Sequence, residues 1–248
     1  MTKAKKNHFF GYTSVEADEK TERVREVFSR VAAKYDVMND FMSGGVHRLW
    51  KRAFVRRIRP QSHHDILDVA GGTGDISFLM YKNGKSNITV SDINAEMLKV
   101  GQARAADRGL LGKLKWQQAN AEELPFDDNS FDIYTIAFGL RNVTHIDKAL
   151  REAYRVLRPG GRFYCLEFSR PAYEPLRKMY DVYSFKIIPH IGELVADDRD
   201  SYQYLVESIR QFPHQQGLKL KLEDAGFKHA KFENLSGGIA AIHSGVKI

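Results

Sequence analysis

The stretch Asp65-Ile66-Leu67-Asp68-Val69-Ala70-Gly71-Gly72-Thr73-Gly74-Asp75 decides how the rest of the chain reads. A short apolar run closes on a carboxylate, breaks into glycines and restarts on an aspartate followed by an apolar run. That is the pattern of a buried strand feeding a tight turn and then a helix, with the turn open to a small ligand. A second apolar run, Ile88-Thr89-Val90, ends in Ser91-Asp92 and gives a second acidic strand end.

Working outward, strand patterns fall at Asp65–Ala70, Ile88–Asp92, Leu114–Gln118, Phe131–Phe138 and Arg162–Glu167. Helical patterns fall between them at Asp75–Lys82, Ala95–Arg108 and Ile146–Leu157, and Arg158-Pro159-Gly160-Gly161 reads as a turn. This alternation predicts an α/β fold, a parallel sheet with helices on both faces. Residues 1–13 read as a mobile arm. Helices over Glu16–Phe41 and Val46–Ile58 then form a cap or lid over the core. After Glu167, helices are expected over 174–188, 201–211 and Gln215–Ala225. Runs at His229–Leu235 and Ile239–Lys247 around Ser236-Gly237-Gly238 predict a closing antiparallel hairpin.

The chain has 248 residues, 43% of them hydrophobic, enough for one large α/β domain. Its single cysteine, Cys165, excludes an internal disulfide, reads as core packing and fits a reducing compartment. No apolar stretch approaches a membrane span, and the N-terminal lysines lack the apolar run of a secretory signal. The expected location is cytoplasmic. A net charge of +7 permits nucleic acid or an anionic membrane surface as partner.

Two ligands use such a glycine turn, a dinucleotide and S-adenosylmethionine. The dinucleotide fingerprint needs a third glycine, and Ser77 stands there. Asp68 and Asp75 around the turn oppose a pyrophosphate unless compensated, and suit a ligand carrying an ammonium and a sulfonium. Gly71, Gly72 and Gly74 allow close backbone approach. Asp92 can accept hydrogen bonds from ribose hydroxyls. Asn120, next to Ala121, Glu122 and Leu124-Pro125-Phe126, could read an adenine edge; the competing reading is an asparagine turn.

Leu67–Asp75, Asp92-Ile93-Asn94 with Met97-Leu98, Asn120-Ala121-Glu122 with Leu124-Pro125-Phe126, Phe138–Thr144 and Leu166-Glu167-Phe168-Ser169 resemble the ubiquinone/menaquinone biosynthesis C-methyltransferases, the UbiE type of class I S-adenosylmethionine-dependent methyltransferases. Tyr35–Asp40 and His47-Arg48-Leu49-Trp50-Lys51 resemble them too. The resemblance implies a Rossmann-like, mostly parallel seven-stranded sheet with an antiparallel C-terminal strand and an N-terminal helical cap. It implies one methyltransferase domain over 1–248: arm and cap (1–60), cofactor-binding core (61–168), helical insertion and closing strands (169–248). The implied activity is methylation of a ring carbon of a polyprenylated quinol, with S-adenosylmethionine as donor and no metal. Its cofactor positions fall on Thr73, Asp92, Asn120 and Ala121, and on Ala137, where the family often has serine.

Such chemistry needs an electron-rich ring, best as a phenolate, and a fixed cation near its oxygen. Arg141, past the fourth strand, is the expected catalytic cation, and Asn142 is expected to orient the same oxygen. Glu167 is a further candidate base; His190 and His214 are set aside as structural or solvated. Arg48, Lys51, Arg52, Arg56 and Arg59 are expected on one face of the second helix, opposite Trp50, Phe54 and Ile58, where they could meet an anionic membrane. A homodimer or a quinone-biosynthetic complex stays open. The rival readings are a non-catalytic scaffold subunit and an RNA methyltransferase; no RNA-binding module is recognisable, so no nucleic-acid partner is expected.

Overall fold

The computed structural model describes residues 8–31, 40, 43–183 and 199–248. Residues 1–7, the Tyr35–Asn39 part of the N-terminal motif, Phe41, 184–188, His190 and Asp197-Asp198 lie outside them. The described chain opens on an antiparallel pair, β1 (His8–Phe10) and β2 (Thr13–Val15), joined through Gly11 and Tyr12. This corrects the mobile-arm expectation for residues 8–13. The pair is tied down from far along the chain: Phe10 stacks on Tyr204 at 4.1 Å, and Tyr12 N donates to Glu207 Oε2 at 2.9 Å. No local pattern announces such a partner.

Helices α1 (Ala17–Val31) and α2 (His47–Ile58) follow. Next come β3 (Asp65–Val69), α3 (Asp75–Gly84), β4 (Asn87–Asp92), α4 (Ala95–Asp107), β5 (Leu114–Gln118) and β6 (Phe131–Ala137). Then α5 (Ile146–Val156), β7 (Leu157–Phe168), α6 (Glu174–Val182), α7 (Arg199–Gln211), α8 (Gln215–Asp224), β8 (Lys228–Leu235) and β9 (Ala240–Val246) complete the chain. The seven-stranded sheet has the order β5-β4-β3-β6-β7-β9-β8, and β9 runs antiparallel to both its neighbours. This is the class I methyltransferase sheet that the sequence implies. Arg158–Gly161 is not a free turn. It is a bulge inside β7, whose pairing advances from Leu157 to Arg162 while β6 advances only from Phe131 to Ile133.

β3 shows why its apolar run is continuous. Ile66 packs into the layer that holds Phe54 and Ile58 of α2 and Ile76 of α3. Leu67 and Val69 pack into the opposite layer with Leu150 of α5 and Leu218 of α8. A strand covered on both faces has no solvent side to mark with polar residues. β3 pairs with β4 on one flank and β6 on the other, so the chain winds away from it in both directions. The crevice at such a switch point, beyond the strand C-termini, is where open α/β sheets bind ligands.

The expected face of α2 needs one correction. Its buried stripe is His47, Trp50, Lys51, Phe54, Val55 and Ile58, so Lys51 lies inside, away from the arginines. The helical period requires this: Lys51 is one turn from both His47 and Val55. Arg48, Leu49, Arg52, Arg56, Arg57 and Arg59 are exposed.

Candidate active site

Beyond β3 the chain turns sharply, with Ala70 at φ 50° and Gly72 at φ 53°. Gly72 suits glycine twice over, since a Cβ there would stand 3.0 Å from Met97 Cε as well. Asp68 is 1% exposed and accepts from Ser77 Oγ at 2.5 Å and Thr135 Oγ1 at 2.7 Å. Ser77, at the third fingerprint position, therefore has a positive role: its hydroxyl holds the strand-end carboxylate. Asp92 accepts from Gly72 N at 3.0 Å and Asn94 N at 2.8 Å. Burial pushes both carboxyls up from the ordinary 3.8 to about 6, against the pull of these donors.

Asp75 opens α3 and is bracketed by two cations. Lys51 Nζ lies 2.8 Å from Oδ2 and Arg104 Nη2 2.7 Å from Oδ1, while Arg104 Nη1 donates to Thr73 Oγ1 at 2.6 Å. Lys51 and Arg104 compensate the Asp75 carboxylate, so, contrary to the expectation from charge, Asp75 does not oppose a pyrophosphate or choose between the two cofactors.

The turn after β5 uses Asn120 as an asparagine turn, its Oδ1 accepting from Glu122 N at 3.0 Å. Its amide nitrogen has no partner among the described residues. Glu122 takes Thr144 N, His145 N and the His145 ring at 3.1, 3.0 and 2.6 Å, linking this turn to the segment after β6. Helix α1 spans the opening. Asn94 caps α4 with Oδ1 and reaches α1 with Nδ2, to Arg25 O at 3.1 Å and Ser29 Oγ at 2.8 Å. At the other rim, Thr21 and Thr144 hydroxyls are 3.0 Å apart and Lys20 Nζ donates to Val143 O at 3.1 Å. α1 is thus the lid anticipated from the sequence.

The space beneath α1 is an open cleft of about 1070 Å³, solvent at its mouth included. Asp68, Gly71, Gly72, Thr73, Asp92, Asn120, Ala121, Ala137 and Asn142 all line it. Gly74 and Arg141 do not. Gly74 starts α3 at φ 85°, packed against Trp116 and Phe78. Arg141 runs behind the 138–142 turn, its side chain 1% exposed. Its Nη1 pairs with Glu167 Oε1 at 2.6 Å and donates to Phe138 O at 2.6 Å, and the guanidinium lies 5.5 Å from the Phe168 ring centre. Arg141, expected as the catalytic cation, is buried behind the turn and paired with Glu167, the further candidate base. His214 caps α8 by accepting from Gly217 N at 3.1 Å. Asn142 Oδ1 accepts from Tyr204 O–H at 3.1 Å. Gly139 is demanded by close approach, because a Cβ there would sit 2.4 Å from Ala70 Cβ across the β3–β6 junction.

Residues 16–247 match the ubiE/COQ5 methyltransferase family. The chain belongs to this family. It is 54% identical to the ubiquinone/menaquinone biosynthesis C-methyltransferase UbiE of Brucella canis, over 97% of this chain and 91% of that protein. It is 51% identical to the mitochondrial 2-methoxy-6-polyprenyl-1,4-benzoquinol methylase of Bos taurus, over 96% and 83%. By shape it resembles a phosphoethanolamine N-methyltransferase of Haemonchus contortus solved with S-adenosylhomocysteine, at TM-score 0.63 and 16% identity, over 94% of this chain and 61% of that one.

The cavity of this ubiE/COQ5 family member fits S-adenosylmethionine in its donor set. It offers a carboxylate held by backbone N–H groups at Asp92, a glycine cradle at Gly72, and an amide nitrogen at Asn120. Among the described residues, no group of three or more His, Cys, Asp or Glu side chains could hold a metal. Several cavity residues escaped the sequence reading: Thr21, Val24, Arg25 and Phe28 from the lid, then Lys51, Asn94 and Glu122. Asn94 was findable, since an asparagine just before a helical run signals an N-cap. Lys51 was findable from the period of α2. Tyr204 lies outside the cavity behind Asn142 and left no local signal.

Proposed function

We propose that this chain transfers a methyl group from S-adenosylmethionine to a ring carbon of a polyprenylated quinol, a 2-methoxy-6-polyprenyl-1,4-benzoquinol, a demethylmenaquinol or both. The reading is carried by family membership together with one cavity that gathers Asp92, Gly72, Asn120 and Asn142. Thr73, Asp92, Asn120 and Ala121 would hold the cofactor, Asp92 through the ribose hydroxyls and Asn120 through the adenine edge. When bound, S-adenosylmethionine supplies a methyl group on a cationic sulfur. Asn142 faces the acceptor side. Tyr204 takes its carbonyl oxygen and one amide N–H is directed at Phe138 O at 3.5 Å, which leaves the other N–H to stabilise a phenolate oxygen. Arg141 is a positioning residue that fixes the turn carrying Asn142. Val24, Phe28, Phe138 and Val143 give the cavity apolar walls, which keep water from the reacting carbon.

Incubation with methyl-labelled S-adenosylmethionine, lipid extract and RNA tests this. Label is expected in quinol rings. Label in RNA alone would favour a nucleic-acid methyltransferase. Tight cofactor binding without transfer would favour a scaffold subunit.

An anionic membrane is the proposed source of the lipid substrate. Arg52, Arg56 and Arg59 with Leu49 on the outer face of α2 support peripheral contact. Among the described residues no helix is long and apolar enough to cross a membrane. Liposome flotation should depend on anionic lipid and weaken in Arg52→Glu/Arg56→Glu; indifference to lipid charge would count against contact.

A further inference from the structure

Contacts from the N-terminal segment converge on Asn142-Val143-Thr144, part of the cavity wall. Lys20 Nζ donates to Val143 O, and the Thr21 hydroxyl meets that of Thr144. The reach to Asn142 is indirect and runs through α7. Tyr204 donates to Asn142 Oδ1 at 3.1 Å, and Phe10 of β1 lies flat on the Tyr204 ring, with 4.1 Å between ring centres and 12° between planes. The turn after β1 docks one helical turn further along. Tyr12 N donates to Glu207 Oε2 at 2.9 Å, and a Cβ on Gly11, at φ 56°, would collide with the same carboxylate. Residues 204 and 207 share a face of α7, so β1 and its turn dock on that helix as one unit. Arg23 of α1 lies 5.7 Å from the Phe10 ring centre, which ties the same ring to the lid.

Tyr204 is 4% exposed, and burial pushes its pKa up, so its hydroxyl stays a neutral donor. A second cleft of about 590 Å³, solvent at its mouth included, lies beside it, lined by His8, Phe9, Tyr204, Ser208 and Gln211 among others. A tyrosine at the edge of such a cleft keeps one direction only while packing holds its ring, because water competes for the hydroxyl. The Asn142 amide depends on that direction. With its oxygen held by Tyr204 and one N–H directed at Phe138 O, the amide plane is set and the other N–H remains for an acceptor oxygen.

We propose that Phe10 is a positioning residue for methyl transfer: by holding the Tyr204 ring, it fixes the Asn142 amide that receives the acceptor oxygen. This rests on the reading that Asn142 meets that oxygen. Phe10 itself does not line the cavity and acts only through Tyr204.

Steady-state kinetics with a short-tailed quinol, alongside calorimetry with S-adenosylhomocysteine, test this. Phe10→Ala should lower kcat several-fold, while S-adenosylhomocysteine affinity stays within about twofold of wild type. The effect should vanish once the tyrosine hydroxyl is gone. Phe10→Ala/Tyr204→Phe should turn over within about twofold of Tyr204→Phe alone, because the two changes act on one contact. Phe10→Tyr keeps the flat ring and should keep most of the wild-type kcat. Phe10→Leu keeps apolar bulk without the flat face; it should lose kcat in the same sense and stands in if Phe10→Ala fails to fold. Wild-type kcat in Phe10→Ala overturns the proposal, and so do losses that multiply in the double variant. A fall in S-adenosylhomocysteine affinity as large as the fall in kcat also overturns it, as the mark of a general structural role. Asn142→Ala separates the two readings. Lost turnover there with none lost in Phe10→Ala rejects Phe10 alone, whereas wild-type turnover in Asn142→Ala rejects the acceptor reading itself.

Discussion

At the ends of β3 and β4, the buried Asp68 and the half-buried Asp92 face neutral donors: two hydroxyls for one, two backbone N–H groups for the other. At the end of β7, Glu167 is buried against a guanidinium. The two rims of one cavity therefore treat buried charge in opposite ways. On the Glu167 side the opposing charge is built in, and the pair braces the 138–142 turn. On the Asp92 side no protein cation touches the carboxylate among the contacts described, and its pKa stays near 6. Such a group costs the ligand-free fold some stability, which is the signature of a residue kept for a ligand. At these strand ends, Asp92 meets neutral donors among the contacts described, while Glu167 is matched by Arg141.

The largest effect should come from breaking the matched rim. Arg141→Ala leaves Glu167 buried without its cation and should cost about 3–5 kcal/mol in denaturant unfolding. Arg141→Met with Glu167→Gln should recover most of that loss; a single variant as stable as wild type would remove the strut. On the unmatched rim, Asp92→Ala should lower S-adenosylmethionine affinity by about 3 kcal/mol, roughly 100-fold, with the circular dichroism spectrum unchanged.

The pH dependence sharpens the contrast. Burial raises the Asp92 pKa above its ordinary value, so the fold favours the protonated acid, and this contribution to stability is lost as pH rises from about 4 through about 6. Ribose hydroxyls need the ionised form. Cofactor affinity should be full above pH 6 and fall below it by up to about tenfold per unit, a slope that Asp92→Asn should flatten. Smaller again is Gly139→Ala, which should cost about 1–3 kcal/mol through the clash with Ala70. Smallest is Tyr204→Phe. It frees the Asn142 amide and should lower kcat several-fold, about 1 kcal/mol, while the KM for S-adenosylmethionine holds.

The unmatched rim was the legible one. An apolar run ending in Asp68, the glycines behind it and Asp92 after the next run are local signals, and strand-end position follows from them alone. The sheet was legible for the same reason, because β3 and β6 are buried along most of their length and carry apolar runs, while β4 still shows Ile88 and Val90 before its acidic end. The matched rim depends on contacts between residues far apart in sequence. Arg141 reads as a loop arginine until β7 brings Glu167 beside it, and Asn142 gains its orientation from Tyr204 on α7. The hairpin at His8–Val15 was hidden likewise, since its aromatic partner is that same tyrosine. Lys51 was misjudged for a simpler reason. Its charge suggested the solvent face, while its position in the helical period assigned it to the buried one.

Hydrogen exchange on the intact chain tests the division of the cavity most directly. S-adenosylhomocysteine should slow exchange at 71–74, 92–97 and 119–122 and leave 138–144 unchanged. Adding a short-tailed quinol should then protect 138–144. Protection by S-adenosylhomocysteine centred on 138–144, with 92–97 unaffected, would contradict the assignment of the two rims.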